Sequence, residues 1–371
     1  MLSSLYLEMS MPTGDPDQSL EALLAAYDLR LRHEPRNCTL WNNRGIVLER
    51  LNRWTEALAS YNCALEINPQ RPEALNNRAI VLEHLGRLTE AVDSYEQALA
   101  VDRQQPEVWN NRGIVLRKLG RLEDAIASYQ QAIALAEDYA QAWANCGFAL
   151  WQQGRYREAV RHYEQAVTLD SDQSSAWRQL GQIYLSVDQP DQALRCLDQA
   201  IALQPQQATA WTWRGHALYN LGQYTAALTS YENAELLGDR PLLLQIQRGH
   251  ALAQLERYEE ALAIYAEILP QLTGESAAEL SYYQGLAWAC LQNWTAALAA
   301  FDQAIAGNPD LADAWYNRAA IQARLDQPLA AIADLQQAIA LDPDTYRSLA
   351  AEDPDYQMLR EHPDWIQLQT A

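Results

Sequence analysis

Apolar residues recur three or four apart along the chain, in paired blocks, and the paired blocks recur every 34 residues. The string WNNRGIVLERL starts at Trp41, LNNRAIVLEHL at Leu75 and WNNRGIVLRKL at Trp109. The same step reaches Trp143, Trp177 and Trp211, slips by two residues at Ser276 and Ala277, and resumes to reach Trp315. Counted from three residues before that aromatic, the repeats are 38–71, 72–105, 106–139, 140–173, 174–207, 208–241, 242–275, 278–311 and 312–345. Within each, the apolar places 4, 8 and 11, then 20, 24 and 27, have helical rather than strand spacing. The pattern predicts two helices per repeat, joined by a short turn.

Place 8 is Gly45, Ala79, Gly113, Gly147, Gly181, Gly215, Gly249, Gly285 and Ala319. Place 20 is always Ala, from Ala57 to Ala331, and place 24 is Tyr in six repeats, Leu197, Phe301 and Leu335 in the others. Small residues at places 8 and 20 are expected to let two helix backbones approach, with large rings at places 4 and 24 filling the space beside them. Gly86, Gly120, Gly154 and Gly222 fall at the turn, where a positive φ is cheap only for glycine. Pro190 and Pro328 fall where the second helix starts.

The ends depart from the period, as a stack of repeats requires. Residues 1–16 are expected to be flexible. Residues 17–37, with Leu20, Leu23, Leu24, Tyr27 and Leu31, read as a degenerate capping helix. Residues 346–371 read as capping helices that lay Tyr346, Leu349, Tyr356, Leu359, Trp365 and Ile366 over the last repeat; a docking segment for another chain is the competing reading.

These fixed places resemble the tetratricopeptide repeat (TPR) family over 38–345, about five-sixths of the chain, in the style of multi-repeat bacterial, cyanobacterial-like members. The resemblance implies an all-α fold: an α-solenoid, a right-handed superhelix of about nine helix-turn-helix repeats, with its ligand face on the concave side. It also implies a scaffold that binds a peptide or protein segment in that groove. The alternative is a receptor for a small ligand or signal peptide whose superhelix changes on binding.

Composition narrows the partners. The formal charge is −21 with a single lysine, Lys118. A net anion without a basic run is a poor binder of nucleic acid or anionic membrane, since such binding needs clustered cations. No long uncharged apolar run exists, so no membrane insertion is expected, and MLSSLYLEMSMP lacks the basic start of a signal peptide. Five dispersed cysteines without a CxxC pair read as small hydrophobes of a reducing cytoplasm. The oddity is 12 Trp and 19 Tyr against 2 Phe. The repeat absorbs most of them, but not Trp151, Trp213 or Trp365.

No GxxxxGK, GxGxxG, GxSxG or HExxH motif occurs, so neither catalysis nor a cofactor is expected. His216 and His250 share place 9 of adjacent repeats; without a third donor they predict a polar, pH-sensitive patch on the inner wall rather than a metal site. By helical phase, places 2, 5, 9 and 12 face that wall and place 6 borders it. Place 6 is Asn43, Asn77, Asn111 and Asn145, with Asn42, Asn76 and Asn110 beside it at place 5. An amide both donates and accepts, so this row suits an extended peptide backbone. It resembles the asparagine ladder of the O-linked N-acetylglucosamine transferase superhelix; the bland alternative is bonding between stacked repeats. Phe148, Trp151, Trp213, His216, Tyr219 and His250 project to the same wall as candidate anchors, and Tyr282 and Tyr283 join them. Arg44, Arg78, Arg112, Arg214, Arg248 and Arg318 share place 7, near the buried edge, where stems packing between repeats and heads paired with carboxylates are expected. The Lys/Asn/Lys/Arg carboxylate clamp of co-chaperone TPR domains is missing. Oligomeric state is left open.

Overall fold

A computed structural model describes residues 16–360 and 362–365. The expected flexible segment thus lies outside the described residues, apart from Pro16, as does Ile366. The fold is an all-α solenoid: twenty α-helices and two 3-10 turns, with no strand among the described residues.

The chain divides into two compact bodies, 1–189 and 190–371. In the first, α1 (Pro16–His33) leads to the antiparallel pairs α2 (Cys38–Arg50) with α3 (Trp54–Ile67), α4 (Pro72–His84) with α5 (Leu88–Val101), α6 (Pro106–Lys118) with α7 (Leu122–Leu135), and α8 (Ala140–Gln152) with α9 (Tyr156–Leu169). It ends with α10 (Ser174–Ser186). The second body opens with α11 (Pro190–Leu203). Its pairs are α12 (Ala208–Asn220) with α13 (Tyr224–Leu236), α14 (Leu242–Gln254) with α15 (Tyr258–Ile268), α16 (Gly274–Cys290) with α17 (Trp294–Gly307), and α18 (Ala312–Arg324) with α19 (Pro328–Leu341). Then come α20 (Pro343–Glu352) and the 3-10 turn Pro354–Leu359.

The register slip has a structural form. Ser276 and Ala277 lie inside α16, which starts four residues before the place expected from the period and runs 17 residues where the other first helices run 13. The helix before it, α15, is correspondingly short at 11 residues and passes into a 3-10 turn at Leu269–Gln271.

In six of the nine repeats the core is a ring laid on a bare backbone. A Cβ added to Gly45 would come within 2.6 Å of the Tyr61 ring, and one added to Gly215 within 2.3 Å of Tyr231. The missing side chain therefore makes room for the place-24 ring rather than for the second backbone. Place 20 is fully buried in all nine repeats, from Ala57 to Ala331.

Place 4 corrects the expectation of a second core ring. Trp41, Trp109, Trp143, Trp177, Trp211 and Trp315 are only half-buried. Each indole Nε1 instead donates to the carbonyl six residues back, at Pro35, Arg103, Glu137, Ser171, Pro205 and Pro309, over 2.8–3.0 Å. That carbonyl closes the preceding repeat, so the tryptophan pins a loop.

The C-terminal residues cap α18 and α19. Tyr346, Tyr356, Leu359 and Trp365 are buried with Ala320, Ala323 and Leu335. Tyr356 donates to the Tyr316 carbonyl, and Tyr316 and Tyr346 donate to Asp353 and Asp313. Leu349, expected in this cover, is 47% exposed, so it caps nothing.

The turns of all eight pairs, and the turn that follows α10, use a left-handed residue. Four are the glycines named above, at φ from 72° to 76°; the other five are Asn52, Asp188, Glu256, Gln292 and Asp326, at 56° to 59°. A side chain there strains the backbone by about 1–2 kcal/mol. Glu256→Gly is accordingly expected to raise the denaturation midpoint, by up to about 1 kcal/mol once the added freedom of the unfolded chain is offset. Gly120→Ala is expected to lower it by a similar amount; urea titrations of both variants check the pair.

Candidate functional site

The candidate residues all lie on the first helix of a pair, and each body carries its own set. In the first body the asparagines form a lateral relay. Asn77 donates to Asn42 across adjacent repeats at 3.4 Å, and Asn145 to Asn110 at 2.9 Å. Within repeats, Asn42, Asn76 and Asn110 donate to Asn43, Asn77 and Asn111 at 3.4–3.5 Å. Bonding between stacked repeats, the bland alternative, is therefore present. Asn42 and Asn110 are buried at 4% and 2% exposure, which removes them from the candidate surface. Asn43, Asn77, Asn111 and Asn145 remain half-buried, and each amide has capacity beyond the one or two bonds it makes.

Further along this body, Phe148 and Trp151 pair one helical turn apart on α8, with ring centroids 5.5 Å apart, and both are half-buried. The Arg117 guanidinium covers the Phe148 ring at 4.9 Å. Below the same face, the place-24 hydroxyls point toward place 12. Tyr61 donates to Glu49, whose carboxyl is held above the usual range by burial. Tyr95 reaches the same level without a partner, and the Tyr129 hydroxyl lies there beside the Arg117 guanidinium.

In the second body, Trp213 meets His216 edge-on at 5.0 Å, and His216 meets the ring of Tyr231 at 5.7 Å. Tyr219 packs on Tyr224 at 5.3 Å. His250 lies on Tyr265 at 5.8 Å and on Tyr283 at 4.1 Å, with Tyr282 beside Tyr283 at 5.5 Å. The two histidines thus pack on different tyrosines rather than as a mutual pair. Burial pushes both down to about 4, so they are neutral imidazoles at neutral pH and not the near-neutral titrating patch expected. Nε2 of each is buried with no partner, as are the Tyr231 and Tyr265 hydroxyls. Buried polar atoms are rarely left so.

The place-7 arginines do what their position predicts, and their geometry repeats. Arg44, Arg112, Arg214 and Arg318 reach back to Asp28, Glu96, Asp198 and Asp302 on the preceding second helix at 2.5–2.7 Å. Arg44, Arg78, Arg112 and Arg214 also bond Ser60, Ser94, Ser128 and Ser230 of their own repeat, where Arg318 meets the buried Asp334 instead. Four of them cover the place-4 tryptophan of their own helix at 4.8–5.9 Å. All but Arg78, whose bonds stay within its repeat, fasten their helix to the one before it. The cysteines fit the small-hydrophobe reading only in part: Cys146 and Cys196 are buried, with the Cys146 thiol pushed up to about 12, whereas Cys290 is exposed.

Among the described residues no group of three or more His, Cys, Asp or Glu is placed to hold a metal ion, and no helix is long and apolar enough to cross a membrane. Sequence reasoning missed the partnerless tyrosine hydroxyls and the arginines at places 12 and 5, Arg117 and Arg178. The period hides both, because each arginine occurs once at its place and the tyrosines recur at place 24 as core rings.

Family profiles described as Tetratricopeptide repeat match residues 36–104, 70–137 and 104–172, then 150–217, 208–237, 246–309 and 286–362. No curated protein matches the sequence. Among solved structures, the fold is similar to that of pilF from Pseudomonas aeruginosa, 20% identical over 60% of this chain and 99% of that one, with a TM-score of 0.51. The C-terminal part of a TPR repeat-containing protein from Cytophaga hutchinsonii is 18% identical over 72% of this chain and 95% of that one, at 0.48. YrrB, described as a TPR protein with an unusual peptide-binding site, is 26% identical over 50% and 95%, at 0.44.

Two predictions follow from the pairings above. Arg318→Ala strands the buried Asp334 carboxylate and is expected to cost about 3 kcal/mol or more. Asp334→Ser restores the chemistry of the other repeats and is expected to cost far less in the same denaturation series. For the histidines, the unfolded chain takes up protons from pH 6.5 downward whereas the folded chain resists until about 4. Stability is therefore expected to fall as pH drops through that window. The His216→Phe/His250→Phe variant is expected to lose that slope when unfolding midpoints are compared between pH 7 and 4.

Proposed function

Because the chain belongs to the tetratricopeptide repeat family, we propose that it is a protein-interaction scaffold holding a peptide or protein segment of another chain along the exposed face of its first helices. The observation that carries this reading is the unused bonding capacity on that face. A fold that needed only to stack its repeats would have no use for half-buried Trp151 and Trp213, or for neutral imidazoles with a buried, partnerless Nε2. Rings and amides of this kind suit a partner that brings main-chain donors and acceptors together with apolar side chains.

In this reading Asn43, Asn77, Asn111 and Asn145 grip backbone, and Phe148 and Trp151 anchor side chains, on the first body. Trp213, His216, Tyr219 and His250 do so on the second. The neutral histidines supply hydrogen bonds without charge, which fits a chain already at −21.

Affinity capture with crosslinking, from a lysate of the source cells, tests it. Trp151→Ala/Trp213→Ala is expected to lower the recovered partner at least about tenfold, the loss of one or two well-packed anchors. Asn43→Ala/Asn77→Ala/Asn111→Ala is expected to lower it less, because these amides also bond one another. Undiminished capture by both variants, with helical circular dichroism unchanged, overturns the reading.

A further inference from the structure

Two arginines outside place 7 in the first body are drawn partly out of solvent without a carboxylate partner. Arg117, at the end of α6, and Arg178, near the start of α10, are both half-buried on the face of the first helices. The buried Nε of each has no hydrogen-bond partner. Among the described residues neither has a carboxylate within ion-pair distance, although Asp and Glu number 48 in the chain and five of the six place-7 arginines are paired. Arg178 donates to its neighbour Gln179, at 3.3 Å, and Arg117 lies over the Phe148 ring at 4.9 Å and beside the Tyr129 hydroxyl, neither of which carries a counter-charge. The one nearby carboxylate at place 12, Glu83, is taken by Lys118 at 2.7 Å.

Desolvating a guanidinium without a counter-charge is costly, and holding two of them so on one face is a cost that the fold does not recover. The helix that carries Phe148 and Trp151, α8, packs against both α6 and α10, the helices that carry Arg117 and Arg178, and Arg117 reaches the Phe148 ring itself. An island of uncompensated positive charge beside two half-buried rings is complementary to a carboxylate carried next to an apolar side chain.

We propose that Arg117 and Arg178, with Phe148 and Trp151 between them, form a subsite for an internal Asp or Glu side chain of the partner segment, with a neighbouring apolar side chain resting on the Trp151 ring. This rests on the scaffold reading above and names the chemistry that one part of the surface selects.

The test is selection of a display library of random 12-residue peptides, amidated at the C-terminus, on the full chain. Enrichment of Asp or Glu beside an aromatic or aliphatic residue is expected. Selected peptides resynthesised with Gln for Glu are expected to bind about tenfold or more weaker, as are the original peptides on Arg117→Gln/Arg178→Gln. That variant is expected to unfold at the same denaturant concentration as the parent or a higher one, since it removes half-buried charge that no carboxylate offsets; a drop would assign the arginines to the fold and overturn the proposal. Equal affinity for Glu and Gln peptides overturns it too, as does binding that appears only when the C-terminal carboxylate is left free. If Trp151→Ala/Trp213→Ala abolishes peptide binding while Arg117→Gln/Arg178→Gln leaves it intact, the scaffold reading stands and the acidic subsite falls. If neither variant changes binding, both fall.

Discussion

A tyrosine ring lying flat against a glycine backbone is the contact on which the rest of this molecule depends. It occurs at Gly45–Tyr61, Gly113–Tyr129, Gly147–Tyr163, Gly215–Tyr231 and Gly249–Tyr265, with Phe301 on Gly285 as the variant. The ring sets how near the two helices of a pair can come, and the invariant alanine at place 20 closes the gap beside it. Because the ring enters from the second helix, its hydroxyl emerges toward the far side of the first. The contact that packs the repeat therefore also lines the candidate surface. There it gives a bond to Glu49 in the first repeat, an unpartnered hydroxyl in others, and a ring beneath His216 and His250 in the second body.

Repeats are joined to one another by different means. The place-7 arginine holds the preceding second helix by charge and its own second helix by a serine, and lies over the tryptophan three residues before it. That tryptophan in turn holds the closing carbonyl of the preceding repeat. Apolar packing also crosses the boundary, as where Phe301 and Ile305 meet Ala314 and Ile321, so the polar bonds add to a core that passes from one repeat to the next.

The period made the helices, their turns and the nine-fold repetition legible, because each rests on a residue type that recurs: alanine at place 20, a left-handed residue at place 15. The role of place 4 was not legible. A tryptophan at a conspicuous apolar position reads as core, and only geometry reveals that its N–H reaches a carbonyl six residues back. The asparagine row was half legible: phase put place 6 on the open face, but whether place 5 faces solvent or a neighbouring amide depends on how closely successive first helices approach. His216 and His250 share a place, which suggested one polar patch; instead each packs on the tyrosine of its own repeat, and His250 also on Tyr283 of the next. Arg117 and Arg178 were invisible, since an unpaired charge is defined by what surrounds it in space.

The six pinned indoles give the molecule a built-in optical gauge. Each is half-exposed and bonded to the loop that joins one repeat to the next. Tryptophan emission is sensitive to solvent access and to the hydrogen bond at the ring nitrogen, so the intrinsic fluorescence of this chain is weighted toward its inter-repeat joints rather than its core. Replacing these tryptophans one at a time with phenylalanine would silence the joints individually, and the difference spectra would locate where along the array strain or ligand-induced adjustment is felt.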